Sequence, residues 1–149
     1  MTWKGPFMQP ITVAIADRDS AGRAVCERLL RHEQGVLVVA QTATSEDIVA
    51  TVVRLKPRIL VCSLNLCVDA DCSLLLALRQ ECPATLVILL ADDPVRDDRV
   101  MQALVSDVRG YLTHESVQQQ LSKAVHGVDQ GEAWLPCKLL GRILDRILR

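Results

Sequence analysis

Five short runs of aliphatic and β-branched residues, each followed by a segment of helical periodicity, constrain this chain more than any other feature. The runs are ITVAIA at 11–16, VLVVA at 36–40, RILVCSL around 59–64, LVILLA at 86–91 and GYLT at 110–113. They are nearly continuous in apolar residues rather than alternating. Strands buried on both faces read this way, so the pattern predicts a parallel sheet covered by helices on each side. Short connections between five such units give an open, doubly wound α/β sheet. Sites in these sheets form beyond the carboxyl ends of the strands. The residues to inspect are therefore Asp17, Arg18 and Asp19; Gln41 and Thr42; Ser63 to Cys67; Ala91 to Asp93; and Thr113 to Glu115.

The helical segments carry their own start and stop signals. Asp19 or Ser20 is expected to cap a first helix, with Ala21, Val25 and Leu29 facing inward. Thr44 and Ser45 cap a second, with a stripe of Ile48, Val52 and Leu55 that Pro57 ends. Leu74, Leu75 and Leu78 face inward in a third, which Pro83 stops. Asp93 followed by Pro94 starts a fourth, with Val100, Ala103 and Leu104 on its buried face. Ser116 and Gln119 form an expected capping box for the next, where Val117, Leu121, Ala124, Val125 and Val128 recur at helical spacing.

The tail GEAWLPCKLLGRILDRILR adds an amphipathic helix. Leu140, Ile143, Leu144, Ile147 and Leu148 form its apolar stripe, and Lys138, Arg142, Asp145, Arg146 and Arg149 lie largely away from it. Such a stripe needs a cover, either a second copy of the chain or the chain's own globular part. The expected organisation is an N-terminal arm over 1–10, a globular unit over 11–130 and a tail helix over 131–149.

Composition narrows the function classes. Half of the 149 residues are hydrophobic but only 3% are aromatic, so the core is aliphatic. A net charge of -1, from 17 basic and 18 acidic residues, leaves no electrostatic footprint for nucleic acid. No apolar run approaches the ~20 residues of a membrane span, and MTWKGPFMQP lacks the apolar stretch of a signal peptide. A cytoplasmic location is expected. The six cysteines show no C-x-x-C spacing and read mainly as small buried hydrophobes. Cys67 and Cys72, in or beside a loop, are the two to examine for reactivity. No cofactor or metal is expected.

Several segments, in order, resemble receiver domains of the NarL/FixJ class of bacterial response regulators. They are IADRDSAGRAVCERLLRHEQGVLVVAQTATSEDIV, KPRILVCSLNL, ALVSDVRGYLTHES and VDQGEAWLP. The resemblance runs over roughly residues 11 to 136. It implies a flavodoxin-like (βα)5 fold with strand order 2-1-3-4-5. It further implies phosphoryl transfer to an Asp after the third strand, Mg²⁺ on an acidic pair after the first, a Thr or Ser after the fourth, a Lys after the fifth, and a rotating aromatic three residues before that Lys.

Position by position, this sequence departs from that set. The acidic pair is Asp17 and Arg18, the acceptor position is Ser63, the Thr/Ser position is Ala91 and the Lys position is His114. The aromatic position is kept as Tyr111. A hydroxyl without a neighbouring base is a poor nucleophile, and Ser63 cannot form an acyl phosphate. Were Arg18 ~4 Å from the metal position, it would repel each unit of metal charge by about 4 kcal/mol at an effective dielectric of ~20. Asp17, Arg18 and His114 are a candidate charge-balanced replacement for metal and Lys, with Asp92 or Asp93 as further partners for Arg18.

The expected function is therefore a phosphorylation-independent receiver that dimerises and controls transcription. DNA is contacted only through a helix-turn-helix that this chain does not contain, and the tail reads as a linker towards it. The input sensor or ligand is open. Alternatives are phosphorylation of a displaced carboxylate such as Asp69 or Asp71, and a non-signalling enzyme or ligand-binding protein on the same fold, for example one using Cys67 with His114.

Overall fold

A computed structural model of the chain describes residues 9–67, 73–92, 103, 107–135 and 137–148. The strands are β1 (Ile11–Ala16), β2 (Val36–Thr42), β3 (Ile59–Ser63), β4 (Leu86–Leu90) and β5 (Val108–Leu112). Over the described residues the α-helices are α1 (Ser20–Arg31), α2 (Ser45–Leu55), α3 (Ser73–Glu81), α4 (Val117–Asp129) and α5 (Cys137–Leu148). One turn of 3-10 helix, Leu64–Leu66, follows β3. Asp69, Asp71, Cys72, Asp93, Pro94, Val100, Leu104 and Arg149 lie outside the described residues. None of the described helices is long and apolar enough to cross a membrane.

The five strands pair in parallel in the order β2-β1-β3-β4-β5. Alternation along each strand feeds two cores, one on each face of the sheet. Leu60 and Cys62 of β3 and Val87 and Leu89 of β4 join Ile48, Val52, Leu75 and Leu78 from α2 and α3. Ile59, Val61, Ile88 and Leu90 join Cys26 and Leu30 of α1 and Leu121, Ala124 and Val125 of α4. This two-sided burial is why the runs show no polar alternation.

Most of the expected helix signals are in place. The Asp19 side chain accepts the Ala21 backbone N–H at α1, and Thr44 Oγ1 accepts that of Asp47 at α2. α2 ends at Leu55, with Lys56 in a left-handed conformation just before Pro57. Several details differ. The fully buried positions of α1 are Cys26 and Leu30, one residue on from the expected Val25 and Leu29, which are half-buried, and the expected inward Ala21 is exposed. Leu55 is exposed. The capping box at Ser116 does not form, because Ser116 has helical rather than extended backbone angles. Its hydroxyl donates to the Thr113 carbonyl and accepts the Thr113 N–H instead.

The tail is tied to the sheet. Trp134 runs parallel to β5: its N–H donates to the Arg109 carbonyl at 3.0 Å, and its carbonyl accepts the Tyr111 N–H at 2.7 Å. The indole lies against Gly127, where a Cβ would stand 3.3 Å from it. From α5, Leu139 is fully buried in the α2/α3-side core, and Ile143 packs on that core's edge. Leu140, Leu144, Ile147 and Leu148 remain exposed. The helix therefore has two apolar edges, one folded back and one facing solvent.

Candidate functional site

The ends of β1, β3 and β4 and the start of the loop after β5 meet at one end of the sheet. Parallel pairing sets Ala16 beside Cys62 and Ser63 beside Leu90. The next residues, Asp17, the Ser63–Asn65 turn, Asp92 and His114, are thereby brought together.

Asp17 is the centre of the group and is 1% exposed. Its Oδ1 accepts two hydrogen bonds, from the Asp19 N–H at 2.9 Å and from the Asn65 side-chain amide at 2.7 Å. Its Oδ2 is buried with no hydrogen-bond partner among the described residues. His114 Nε2 stands 3.9 Å from Oδ2. An unpaired buried acceptor costs roughly 1–3 kcal/mol, so this oxygen is held in place by its surroundings. Gly22 in the first turn of α1 leaves the space it fills.

Asn65 completes the turn after β3. Its backbone N–H donates to Ser63 Oγ at 3.5 Å, and its Oδ1 accepts the Arg18 N–H at 3.2 Å. One side-chain amide thus joins the loops after β1 and β3. Ser63 is buried, and its hydroxyl serves the 3-10 turn rather than the solvent-facing cleft.

The expected Asp17–Arg18–His114 cluster forms only in part: His114 lies beside Asp17, and Arg18 does not join them. The Arg18 side chain is exposed and makes no hydrogen bond or ion pair with a described residue, so water screens it and the close repulsion of a metal does not arise. The guanidinium at the site is that of Arg23, one turn into α1. It donates to the carbonyl oxygen of Asp17 at 2.6 Å and to that of Arg18 at 3.4 Å. His114 sits closest to Asp92: Nδ1 and Asp92 Oδ1 are 2.8 Å apart, the His114 backbone N–H also donates to that oxygen, and Nε2 stands 3.9 Å from Asp17 Oδ2. These bonds from His114 hold the Asp92 carboxyl below its ordinary range, outweighing slight burial. Asp92 is therefore not a partner of Arg18.

Ala91 and Tyr111 are linked as well. The Tyr111 ring is buried beneath the site, and its hydroxyl donates to the Ala91 carbonyl. Cys26 lies at the base of the cleft, where burial and then the negative charge of Asp17 push its thiol up to about 12. Cys67, expected to merit scrutiny for reactivity, is buried in the α2/α3-side core. It does not line the cleft that holds His114, which removes the structural basis for a Cys67–His114 pair.

The described residues do not suit Mg²⁺. A hard cation requires several oxygen ligands, but Ser63 supplies no carboxylate and Arg18 replaces an acid. The Asn65 amide already occupies Asp17 Oδ1. Among the described residues, no group of three or more His, Cys, Asp or Glu could hold a metal ion.

Around the cluster opens a cavity of about 390 Å³ between the N-terminal part of α1 and the start of α4. Its lining includes the polar Asp19, Asn65, Asp92 and His114 together with Gly22, Val25, Cys26, Leu90 and Val117.

Solved structures carry the same architecture. A LuxR-family two-component response regulator from Aurantimonas sp. SI85-9A1 superposes with a TM-score of 0.80 at 18% identity, covering 95% of this chain and 100% of that one. The fold is that of response-regulator receiver domains. The receiver domain of the putative response regulator NarL from Mycobacterium tuberculosis gives 0.73 at 22% identity over 83% of this chain and 99% of its own. A Salmonella typhimurium RcsB structure, described in terms of conformational dynamism for DNA interaction, gives 0.76 at 20% identity. The match covers 93% of this chain and 68% of that one. No family model matches the sequence, and no curated protein matches it.

Two site residues, Asn65 and Arg23, are not apparent from the sequence. Asn65 stands in a strand-end segment singled out there, but its inward direction depends on the 3-10 turn. Arg23 reads as an ordinary exposed helix cation.

Proposed function

We propose that this chain is a receiver module of a NarL/FixJ-class response regulator that signals without aspartyl phosphorylation. The observation that carries the reading is the Asn65–Asp17 hydrogen bond beside a buried Ser63. Where the resemblance calls for an acceptor carboxylate and a metal, this site has a hydroxyl committed to its own turn and a neutral amide. Ala91 cannot hydrogen-bond a phosphoryl oxygen through its side chain. Its carbonyl instead holds Tyr111 inward, which supports a site set in one arrangement without phosphate.

Control of transcription through a DNA-binding domain outside this chain belongs to the same proposal. It rests on the fold shared with RcsB and with the LuxR-family regulator. Self-association is its third component. The apolar edge of α5 formed by Leu140, Leu144 and Ile147 supports it, and a cytoplasmic location accords with it. Of the alternatives, Asp69 and Asp71 lie outside the described residues.

The test uses beryllofluoride, which mimics an aspartyl phosphate, with Mg²⁺ on the ¹⁵N-labelled chain. Unchanged amide resonances for Asp17, Asn65, Ala91 and Tyr111 are expected. A saturable, Mg²⁺-dependent shift of these resonances would overturn the reading.

A further inference from the structure

The cleft at the strand ends has a chemical character of its own. Among the described residues, its wall carries two carboxylates, Asp19 and Asp92, and neither Lys nor Arg; His114 is its one basic side chain. Asp17 lies immediately behind this wall. Its Oδ2 is directed towards Gly22 and stands 3.9 Å from His114 Nε2, and both residues line the cavity. That oxygen is a buried acceptor without a hydrogen-bond partner among the described residues, on a residue 1% exposed. The imidazole side chain of His114 is 41% exposed and is held by Asp92 through Nδ1.

Apolar side chains line the same cavity of about 390 Å³: Val25, Cys26, Leu90 and Val117. This volume falls within the ~300–1,000 Å³ typical of small-molecule sites. Anionic ligands meet carboxylates here, and a bare divalent cation finds too few oxygens. A cationic nitrogen on a short hydrocarbon body meets both halves of the cleft.

We infer that this cleft binds a small organic cation, an alkylammonium or amidinium. Its charged nitrogen donates to Asp17 Oδ2 and Asp92, and its hydrocarbon part packs on Val25, Leu90 and Val117. The inference rests on the phosphate-independent reading above, because it gives the same pocket a different input. Binding draws His114 aside and ties the loops after β1, β4 and β5 together. Those loops lead directly into α1, Tyr111 and α4, so occupancy can reach the remainder of the domain.

The experiment is an NMR titration of the full ¹⁵N-labelled chain with n-butylammonium chloride, n-butanol and sodium butyrate in parallel. Saturable shifts at Gly22, Asn65 and His114 are expected with the ammonium. Affinity for n-butanol should be weaker by about tenfold or more, as expected when a charge-assisted hydrogen bond is lost, and butyrate should leave these residues unmoved. Asp17→Asn, close to isosteric, should weaken the ammonium by a similar factor. Should that variant not fold, the exposed Asp92→Asn should weaken the ammonium several-fold while leaving n-butanol unaffected. Equal affinity for n-butylammonium and n-butanol, no saturable shift, or undiminished ammonium binding in the folded variants would overturn the inference. A parallel arm with MgCl₂ and acetyl phosphate separates the two readings. Phosphorylation there would defeat the phosphate-independent receiver whatever the ammonium does, and an unreactive chain that ignores ammonium would defeat only the ligand.

Discussion

Gly22 and Asp17 are sterically coupled: a Cβ at position 22 would collide with Asp17 Oδ2 and stand 3.2 Å from its Cγ. Glycine inside a helix normally costs about 1 kcal/mol relative to alanine. At this position the absent side chain makes room for a buried carboxylate. Gly22→Ala should therefore destabilise the fold by about 1–3 kcal/mol, as overpacking does. In an Asp17→Ala background the same change should stabilise it, by up to about 1 kcal/mol of helix propensity. Urea denaturation of the four proteins measures this cycle, and additive effects would contradict the coupling.

The His114–Asp92 pair makes a prediction about pH. Hydrogen bonds from His114 lower the folded-state pKa of Asp92 below 3.8. Its contribution to stability is therefore complete above that ordinary value and is lost as pH falls through the lowered one. A ¹³C-carboxyl titration should find Asp92 below 3.8, and His114→Ala should bring it back up. An Asp92 that titrates identically in both proteins would show that the pair does not persist in solution.

The Cys26 thiol should be inert. Its pKa, pushed up to about 12 by burial and then by Asp17, leaves almost no thiolate near neutrality. Iodoacetamide at pH 8 should fail to modify Cys26 in the native chain, as read by peptide mass mapping. Asp17→Asn should lower the pKa, but only modestly, because burial is the larger cause. Rapid native-state alkylation of Cys26 would contradict this burial.

The two edges of α5 divide the tail's roles. Ile143 packs on the domain's own core, while Leu144 and Ile147 face solvent. If the exposed edge is the seam of a dimer, Leu144→Asp with Ile147→Asp should yield a monomer with nearly unchanged melting. Ile143→Asp should instead lower the melting temperature. Sedimentation at tens of micromolar decides, and a wild-type chain that is already monomeric there would remove the self-association component.

The sequence was most informative where the backbone pattern alone determines position. The apolar runs of β1 to β5 fix a doubly wound sheet, and the sheet brings Asp17, Ser63, Ala91, Asp92 and His114 to one end. Side-chain direction after a strand end was not legible. Arg18 and Arg23 are both cations near Asp17 in sequence, and only the geometry of the turn into α1 sends one to solvent and the other back to the loop carbonyls. Asn65 depends on a 3-10 turn that no periodicity announces. Leu139 lies outside the regular Leu140 stripe, and the angle at which α5 meets the core makes it the buried edge.

The most direct test of a receiver that works without phosphate is intact-mass spectrometry of the chain after incubation with Mg²⁺ and acetyl phosphate. The wild-type mass should stay unchanged, and Ser63→Asp should also remain unlabelled, since Asn65 still occupies Asp17 Oδ1. A Mg²⁺-dependent phosphoryl adduct on the wild-type chain, whether mapped to Asp69, Asp71 or another carboxylate, would contradict it.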